Sequence, residues 1–202
     1  RSRYHQMMTL ADLMRGYSDM LLPQIEVKGI SADSQWVKPG DVFIALSGHS
    51  RHAIDFVDDA VKAGAIAVVY DADDSYCKQR IALLSKQLDS FWIPVQQLRQ
   101  VSGEIAARYY GDPSAKLKLI GITGTDGKTS VTHLLVQALG RLGRKAGSVG
   151  TLGYGVNNQF SASRFTTPDA ISLQSMLFEL SVNGCDFVAM EVSSHALQQY
   201  RA

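Results

Sequence analysis

The sequence predicts an α/β protein of two domains, each a mostly parallel sheet flanked by helices. Three observations predict it. Short apolar runs of strand length alternate with stretches whose apolar residues recur at helical spacing. A Gly111-Asp112-Pro113-Ser114 cluster interrupts that alternation near the middle of the chain. Beyond it the pattern restarts as an apolar strand, a glycine-rich turn and a helix.

Taken in order, EVKGISADSQWVKPGDVFIALS (26–47) holds a Pro39-Gly40 turn followed by a buried strand over Val42–Leu46. Ile54, Val57, Ala60 and Val61 then recur at helical spacing, Gly64 can stop that helix, and AIAVVYD (65–71) is the next strand. After a polar stretch come IPVQ (93–96) and a helix over 98–110. The boundary falls at 111–115, giving domains 1–112 and 113–202.

The second domain opens with LKLIGIT (117–123), the glycine-rich turn, and a helix over 128–142. Val131, Leu134, Leu135, Ala138, Leu139 and Leu142 share a face of that helix, and Gly143 is its stop. AGSVGTLGYG (146–155) is a strand and turn. Thr167-Pro168 starts another helix, with threonine as N-cap and proline in the first helical position; Leu173, Met176, Leu177 and Leu180 line it and Gly184 ends it. DFVAMEVSS (186–194) is a buried strand whose last residues emerge at an edge. Parallel sheets of this kind place ligands beyond the carboxyl ends of their strands.

Composition narrows the functional classes. At 202 residues and 46% apolar, with a net charge of +1, the chain has neither the polarity of a disordered segment nor an obvious basic surface for nucleic acid. Cys77 and Cys185 belong to no Cys-x-x-Cys pattern, so both are expected to be reduced thiols. No apolar run approaches the roughly 20 residues that span a bilayer, and RSRYHQMM lacks the apolar core of a signal peptide. A cytoplasmic location is the expectation, with the natural start near Met7 or Met8.

The turn at 121–130, GITGTDGKTS, carries most of the chemistry. A phosphate cradle needs small residues that let backbone N–H groups converge, a helix N-terminus that favours negative charge, and a lysine and a hydroxyl for phosphate and magnesium. Gly124, Gly127, Lys128 and Thr129 supply all of these, but the generic Walker spacing fails because Ile122 stands where it requires glycine. The plain alternative is a glycine turn that happens to precede Lys-Thr.

GITGTDGKTS resembles the TGTNGKT signature of the Mur ligases and their folylpolyglutamate synthase relatives. ADSQWVKPGDVFIALSGH, YYGDPSAKLKLIGITGT, FTTPDAISLQ and MEVSSHALQQYR are similar, in the same order, to segments of one branch, the UDP-N-acetylmuramoyl-L-alanyl-D-glutamate:amino-acid ligases of peptidoglycan synthesis. The resemblance covers nearly the whole chain. It implies a small UDP-binding N-terminal domain before a P-loop NTPase-like central domain, and a monomer acting on UDP-MurNAc-dipeptide, ATP and an amino acid. It implies neither a nucleic acid nor a membrane partner.

The implied chemistry is amide ligation. A substrate carboxylate attacks the γ-phosphate of ATP, and an amine then displaces phosphate from the acyl phosphate, so positioning and charge neutralisation dominate. Carried over by position, Gly124, Thr125, Asp126, Gly127, Lys128, Thr129 and Ser130 hold the ATP phosphates, with Lys128 the catalytic residue that neutralises the β and γ oxygens. Thr129 and Glu191 hold Mg2+, although a buried glutamate can also be half of a structural ion pair. Ser34, His49, Ser50 and Arg51 match positions that hold uridine and diphosphate, where the alternative for His49 and Arg51 is a solvated loop. Thr166, Thr167, Ser193, Gln199 and Arg201 match positions that hold the UDP-MurNAc part, where helix capping also accounts for the two threonines. His195 is left unassigned.

Asp126 departs from the usual asparagine, Gln35 from arginine and Ala196 from glycine. A carboxylate beside triphosphate repels it unless it faces magnesium or the adenine side. The family's carbamylated lysine, its histidine that binds the second magnesium and the domain that binds the amino acid would all follow Ala202. The chain is therefore expected to be an N-terminal portion that cannot ligate alone, with lysine and meso-diaminopimelate both open. Two alternatives stand beside this: a non-catalytic module that keeps nucleotide or UDP-sugar binding, and another ligase of the superfamily, of cyanophycin or folylpolyglutamate type. The ADSQ…PGD segment, joined to TTPD and EVSSH, argues against the latter.

Overall fold

The protein is described from a computed structural model, which describes residues 7–48, 52–156, 159–161 and 168–200, with 159–161 by backbone only. The chain divides into two compact units, Arg1–Tyr109 and Tyr110–Ala202. Both are α/β with parallel strands, as the alternating pattern predicts. Among the described residues no helix is long and apolar enough to cross a membrane.

In the first unit β1 (Gly29–Ser31), β2 (Asp41–Ala45), β3 (Ala67–Asp71) and β4 (Phe91–Val95) form one parallel sheet in sequence order. All five residues of β2 are buried, the signature of a strand covered on both faces. Its helices are α1 (Leu10–Met14), α2 (Val57–Lys62), α3 (Ser75–Leu84) and α4 (Leu98–Tyr110). Phe43, Ile54, Val57, Ala60, Val68, Cys77 and Ile81 make the core between the sheet and the helices α2 and α3. Gly64, at φ +104°, ends α2 as expected, and a Cβ there would lie 2.7 Å from Pro39 Cα, so the stop and the Pro39-Gly40 turn are packed together.

Two differences from expectation stand out in this unit. The helix expected from Ile54 begins as a 3-10 turn, Ala53–Phe56, and becomes α-helical only at Val57. The polar stretch after β3 contains α3, which buries only Cys77 and Ile81 and is started by Asp74, whose carboxylate accepts from the N–H groups of Tyr76 and Cys77. A helix with so narrow an apolar stripe leaves almost no periodic signal.

The second unit is a five-stranded sheet ordered β5-β9-β6-β7-β8, with β5 (Lys118–Ile122), β6 (Ala146–Gly150), β7 (Gly153–Val156), β8 (Gln159–Ser161) and β9 (Phe187–Glu191). β9 runs parallel between β5 and β6, and β7 and β8 add an antiparallel edge. α5 (Lys128–Arg141) covers one face through Leu135, Val136 and Leu139, which pack with Ile122, Ala146, Phe187 and Ala189. α6 (Ala170–Val182) covers the other through Leu173, Leu177 and Leu180 against Val149, Val188 and Met190. A short α7 (Ser194–Gln198) follows β9.

The apolar face expected of α5 is only partly the one that meets the sheet. Leu135 and Leu139 pack inward, but Thr132 and Val136 are the buried residues, while Val131, Leu134 and Leu142 are exposed. The helix carries two adjacent stripes, and periodicity alone does not say which one faces the sheet.

The start of α6 also corrects expectation: the helix begins at Ala170, and its cap is Asp169, whose carboxylate accepts from Ile171 N and Ser172 N at 3.0 Å each; Pro168 precedes the helix. An ionised carboxylate that takes two N–H groups is a better cap than one hydroxyl. Asp169→Ala should therefore cost about 1 kcal/mol of stability, read as a lower urea midpoint with an unchanged slope.

Candidate functional site

Strand order and pleat build the site before any side chain is considered. β9 lies between β5 and β6, with Ile122 opposite Glu191 and Met190 opposite Val149. The three parallel strands thus end together, placing the loop after Ile122, the Glu191 carboxylate and the Gly150-Thr151 turn along one edge. Alternation along the strands puts Ser148, Gly150 and Glu191 on the α5 side, because Ala146 and Ala189 face α5 whereas Val149 and Met190 face α6.

Residues 123–127 connect β5 to α5. Gly127 takes the N-cap position of α5 at φ +78°, a left-handed conformation that glycine adopts without strain. No side chain caps this helix, so its first N–H groups are not spent on a local acceptor. Lys128 Nζ donates to Gly124 O at 2.6 Å and to Thr125 O at 3.1 Å, folding the ammonium back over the loop. Thr125, Asp126 and Ser130 are exposed, and Thr129 is half-buried on the inner side.

Glu191 is only 8% exposed, yet it has no cationic partner among the described ion pairs. Instead Thr151 clamps it: Thr151 N donates to Oε1 at 3.2 Å and Thr151 Oγ1 to Oε2 at 3.0 Å. Among the described residues the structural ion pair weighed from sequence is thereby replaced by a hydroxyl and amide clamp. Thr129, Thr132, His133, Ser148, Gly150, Leu152, Gly153 and Glu191 line a pocket beside α5. Two of its hydroxyls, on Thr132 and Ser148, are buried with no hydrogen-bond partner among the described residues. An anionic carboxylate, a threonine hydroxyl and further oxygens are the donor set that a hard divalent cation such as Mg2+ prefers, so the residues present fit the ion.

The remaining residues singled out from sequence fall as follows. Ser34 opens a 3-10 turn, Ser34–Trp36, capped by the Asp33 carboxylate on Gln35 N. Ser193 is the N-cap of α7, its Oγ accepting from Ala196 N at 3.1 Å. Gln199 Nε2 and His195 Nε2 lie 2.8 Å apart, which gives His195 a structural partner. His49, Ser50, Arg51, Thr166, Thr167 and Arg201 lie outside the described residues. Sequence reasoning missed Thr132, Ser148, Gly150 and Thr151. For Thr132, Ser148 and Gly150 the signal was present as polar or small residues where α5 and β6 should be apolar, but it is legible only once the helix face is known; Thr151 lies in the turn after β6.

A second cluster has metal-binding composition: His52, Asp74 and Cys77 bring their ligand atoms within 4.8 Å of one another. Hydrogen bonding excludes that use. Ile54 N donates to His52 Nδ1 at 3.1 Å, so Nδ1 is unprotonated and Nε2 carries the proton, which it donates to Asp74 Oδ2 at 3.0 Å. A metal on Nε2 would need the opposite tautomer. Burial, followed by the charge of Asp74, also pushes the Cys77 thiol up to about 11, away from thiolate. The cluster is a knot joining the start of α3 to the 3-10 turn before α2. Burial raises the Asp74 carboxyl, but bonds from His52, Cys77 N and Tyr76 N outweigh it and hold the group below its usual value. A depressed pKa stabilises the fold fully above the unfolded value of about 3.9, and that contribution is lost as pH falls through the folded value. Asp74→Asn should remove this dependence, so stability measured by urea melts should fall less steeply below about pH 4 than in the parent.

Comparison with known proteins adds relatives to this geometry. The Mur ligase middle domain family matches residues 122–202, and the Mur ligase family, catalytic domain, matches residues 26–110. The chain is 43% identical over 197 residues to the UDP-N-acetylmuramoyl-L-alanyl-D-glutamate--2,6-diaminopimelate ligase of Alkalilimnicola ehrlichii, spanning 96% of this chain and 40% of that protein. It is 44% identical over 176 residues to the ligase of the same name from Pseudomonas syringae pv. tomato, spanning 87% of this chain and 35% of that one. A solved structure of a UDP-N-acetylmuramoyl-L-alanyl-D-glutamate--2,6-diaminopimelate ligase superposes with a TM-score of 0.77 at 27% identity, over 97% of this chain and 38% of its own. The chain thus spans about two fifths of the length of the relatives it matches.

Proposed function

The chain belongs to the Mur ligase family, and from that premise we propose that it carries the ATP-binding and UDP-sugar-binding parts of a ligase that joins 2,6-diaminopimelate to UDP-N-acetylmuramoyl-L-alanyl-D-glutamate in peptidoglycan synthesis. The observation that carries this reading is the meeting, at one sheet edge, of the uncapped α5 N-terminus and the clamped, unpaired Glu191. The choice of diaminopimelate rests on the names of the relatives.

ATP supplies the phosphoryl group and Mg2+ the neutralising charge. The N–H groups of Gly124 to Ser130 cradle the phosphates, where backbone donors and the helix dipole act together. Lys128 leaves the carbonyls of Gly124 and Thr125 for phosphate oxygens, a better acceptor for an ammonium. Thr129 and Glu191 offer oxygens to the cation. Asp126 stays on the exposed outer side of the loop. Ser34, His49, Ser50 and Arg51 hold the uridine diphosphate, and Thr166, Thr167, Ser193, Gln199 and Arg201 the remainder of the UDP-MurNAc-dipeptide. The substrate carboxylate bonds to the γ-phosphorus as ADP departs; the incoming amine then bonds to the acyl carbon as phosphate departs and the nitrogen gives up a proton. The domains are proposed at 1–112 and 113–202, in a cytoplasmic monomer.

Calorimetry of this chain tests the two half-sites separately. Heat of binding is expected with UDP-MurNAc-L-Ala-D-Glu alone and with ATP plus Mg2+ alone. Absence of both would sink the reading. In a protein of the relatives' full length, incorporation of lysine in preference to diaminopimelate would overturn the amino-acid assignment alone.

A further inference from the structure

Thr132 and Ser148 both line the pocket, Thr132 from the buried side of α5 and Ser148 from β6. They are 5% and 3% exposed, and neither hydroxyl has a hydrogen-bond partner among the described residues. A buried hydroxyl left unpaired destabilises a fold, so two of them in one pocket need an explanation. They also account for the orientation of α5: the helix turns a threonine inward while Val131 and Leu134 remain exposed. Thr132 shares that inward side with Leu135, Val136 and Leu139, and it is the polar member of the set.

The same pocket presents Glu191 and Thr129. Mg2+ keeps several waters when bound by one or two protein oxygens, and those waters need acceptors of their own. We propose that Thr132 and Ser148 are acceptors for the hydration shell of the divalent cation, orienting its waters without touching the ion. The proposal rests on the reading that Glu191 and Thr129 hold that cation. Both hydroxyls then gain the partners they lack, and Glu191 has its free lone pairs supported opposite the Thr151 clamp.

The test uses this chain with ADP and Mn2+ as the paramagnetic probe, bound ion being read from loss of the free-Mn2+ EPR signal. Thr132→Val, Ser148→Ala and the double variant are expected to weaken Mn2+ binding roughly 10-fold to 100-fold, the range for loss of a partner outside the inner coordination sphere. Thr132→Ser should restore it. Metal-free urea melts of Thr132→Val should match or exceed the parent, since valine fills the same space without an unpaired oxygen; a purely structural hydroxyl would move stability and leave Mn2+ alone. Parent-like Mn2+ affinity in the double variant, with binding lost in Glu191→Gln, would overturn the hydration role and leave the metal reading standing. Retention of Mn2+ by Glu191→Gln would overturn both.

Discussion

Lys128→Ala is expected to lower affinity for ATP and Mg2+ about 10-fold to 100-fold, while UDP-MurNAc-L-Ala-D-Glu binds this chain as before. Among the described residues the ammonium bonds only exposed loop carbonyls, Gly124 O and Thr125 O, so its loss removes little from the fold. What it removes is a charge-assisted bond to phosphate, worth about 1.5–3 kcal/mol, and each 1.4 kcal/mol is a factor of ten in affinity. Lys128→Arg should recover only part of the loss, because a planar fork does not replace a compact charge in a tight loop. Calorimetry of the three proteins against both ligands decides it: undiminished ATP binding in the alanine variant would show that residues 124–130 are not the phosphate site. A fall in both affinities would point instead to damage beyond the loop.

How much of this was legible beforehand follows from the physics of each element. The parallel strands were, because a strand buried on both faces is a continuous apolar run, and Asp41–Ala45 and Phe187–Glu191 both read that way. The place of the glycine-rich loop between β5 and α5 was, because an apolar strand-length run precedes it and helical spacing follows it. The α5 orientation was not. Two stripes compete on that helix, and the one that carries Thr132 beside Leu135, Val136 and Leu139 faces the sheet, where Ser148 and Glu191 line the same pocket as Thr132. That fact belongs to the order β5-β9-β6, which brings residues over 40 positions apart side by side and leaves no local trace. The cap of α6 was missed by two residues, since Thr167 and Asp169 are both good caps by type and only the accepted N–H groups distinguish them.

The sharpest contrast at the site is between two glycines of one strand. A Cβ on Gly150 would lie 2.7 Å from Glu191 Cδ and 2.8 Å from Cγ, and closer still to Oε1; a Cβ on Gly147, on the opposite face, would lie 2.8 Å from Leu180 Cδ2. Neither position tolerates alanine without movement, but what moves differs. In Gly147→Ala the core against α6 is overpacked, which should cost about 1–3 kcal/mol of stability and leave the site intact. In Gly150→Ala the Glu191 side chain must yield, and it has no slack, being buried and held by both Thr151 donors. The carboxylate should be driven off the clamp and out of register with Thr129, so Mn2+ affinity should fall at least about 10-fold. The two variants are therefore expected to separate: a lowered urea midpoint with parent-like Mn2+ binding for Gly147→Ala, and a much larger loss of Mn2+ binding for Gly150→Ala than its stability change explains. Were Gly150→Ala to bind Mn2+ like the parent, the carboxylate would not be a ligand, and the clamp would be only a way of tying β9 to the β6–β7 turn.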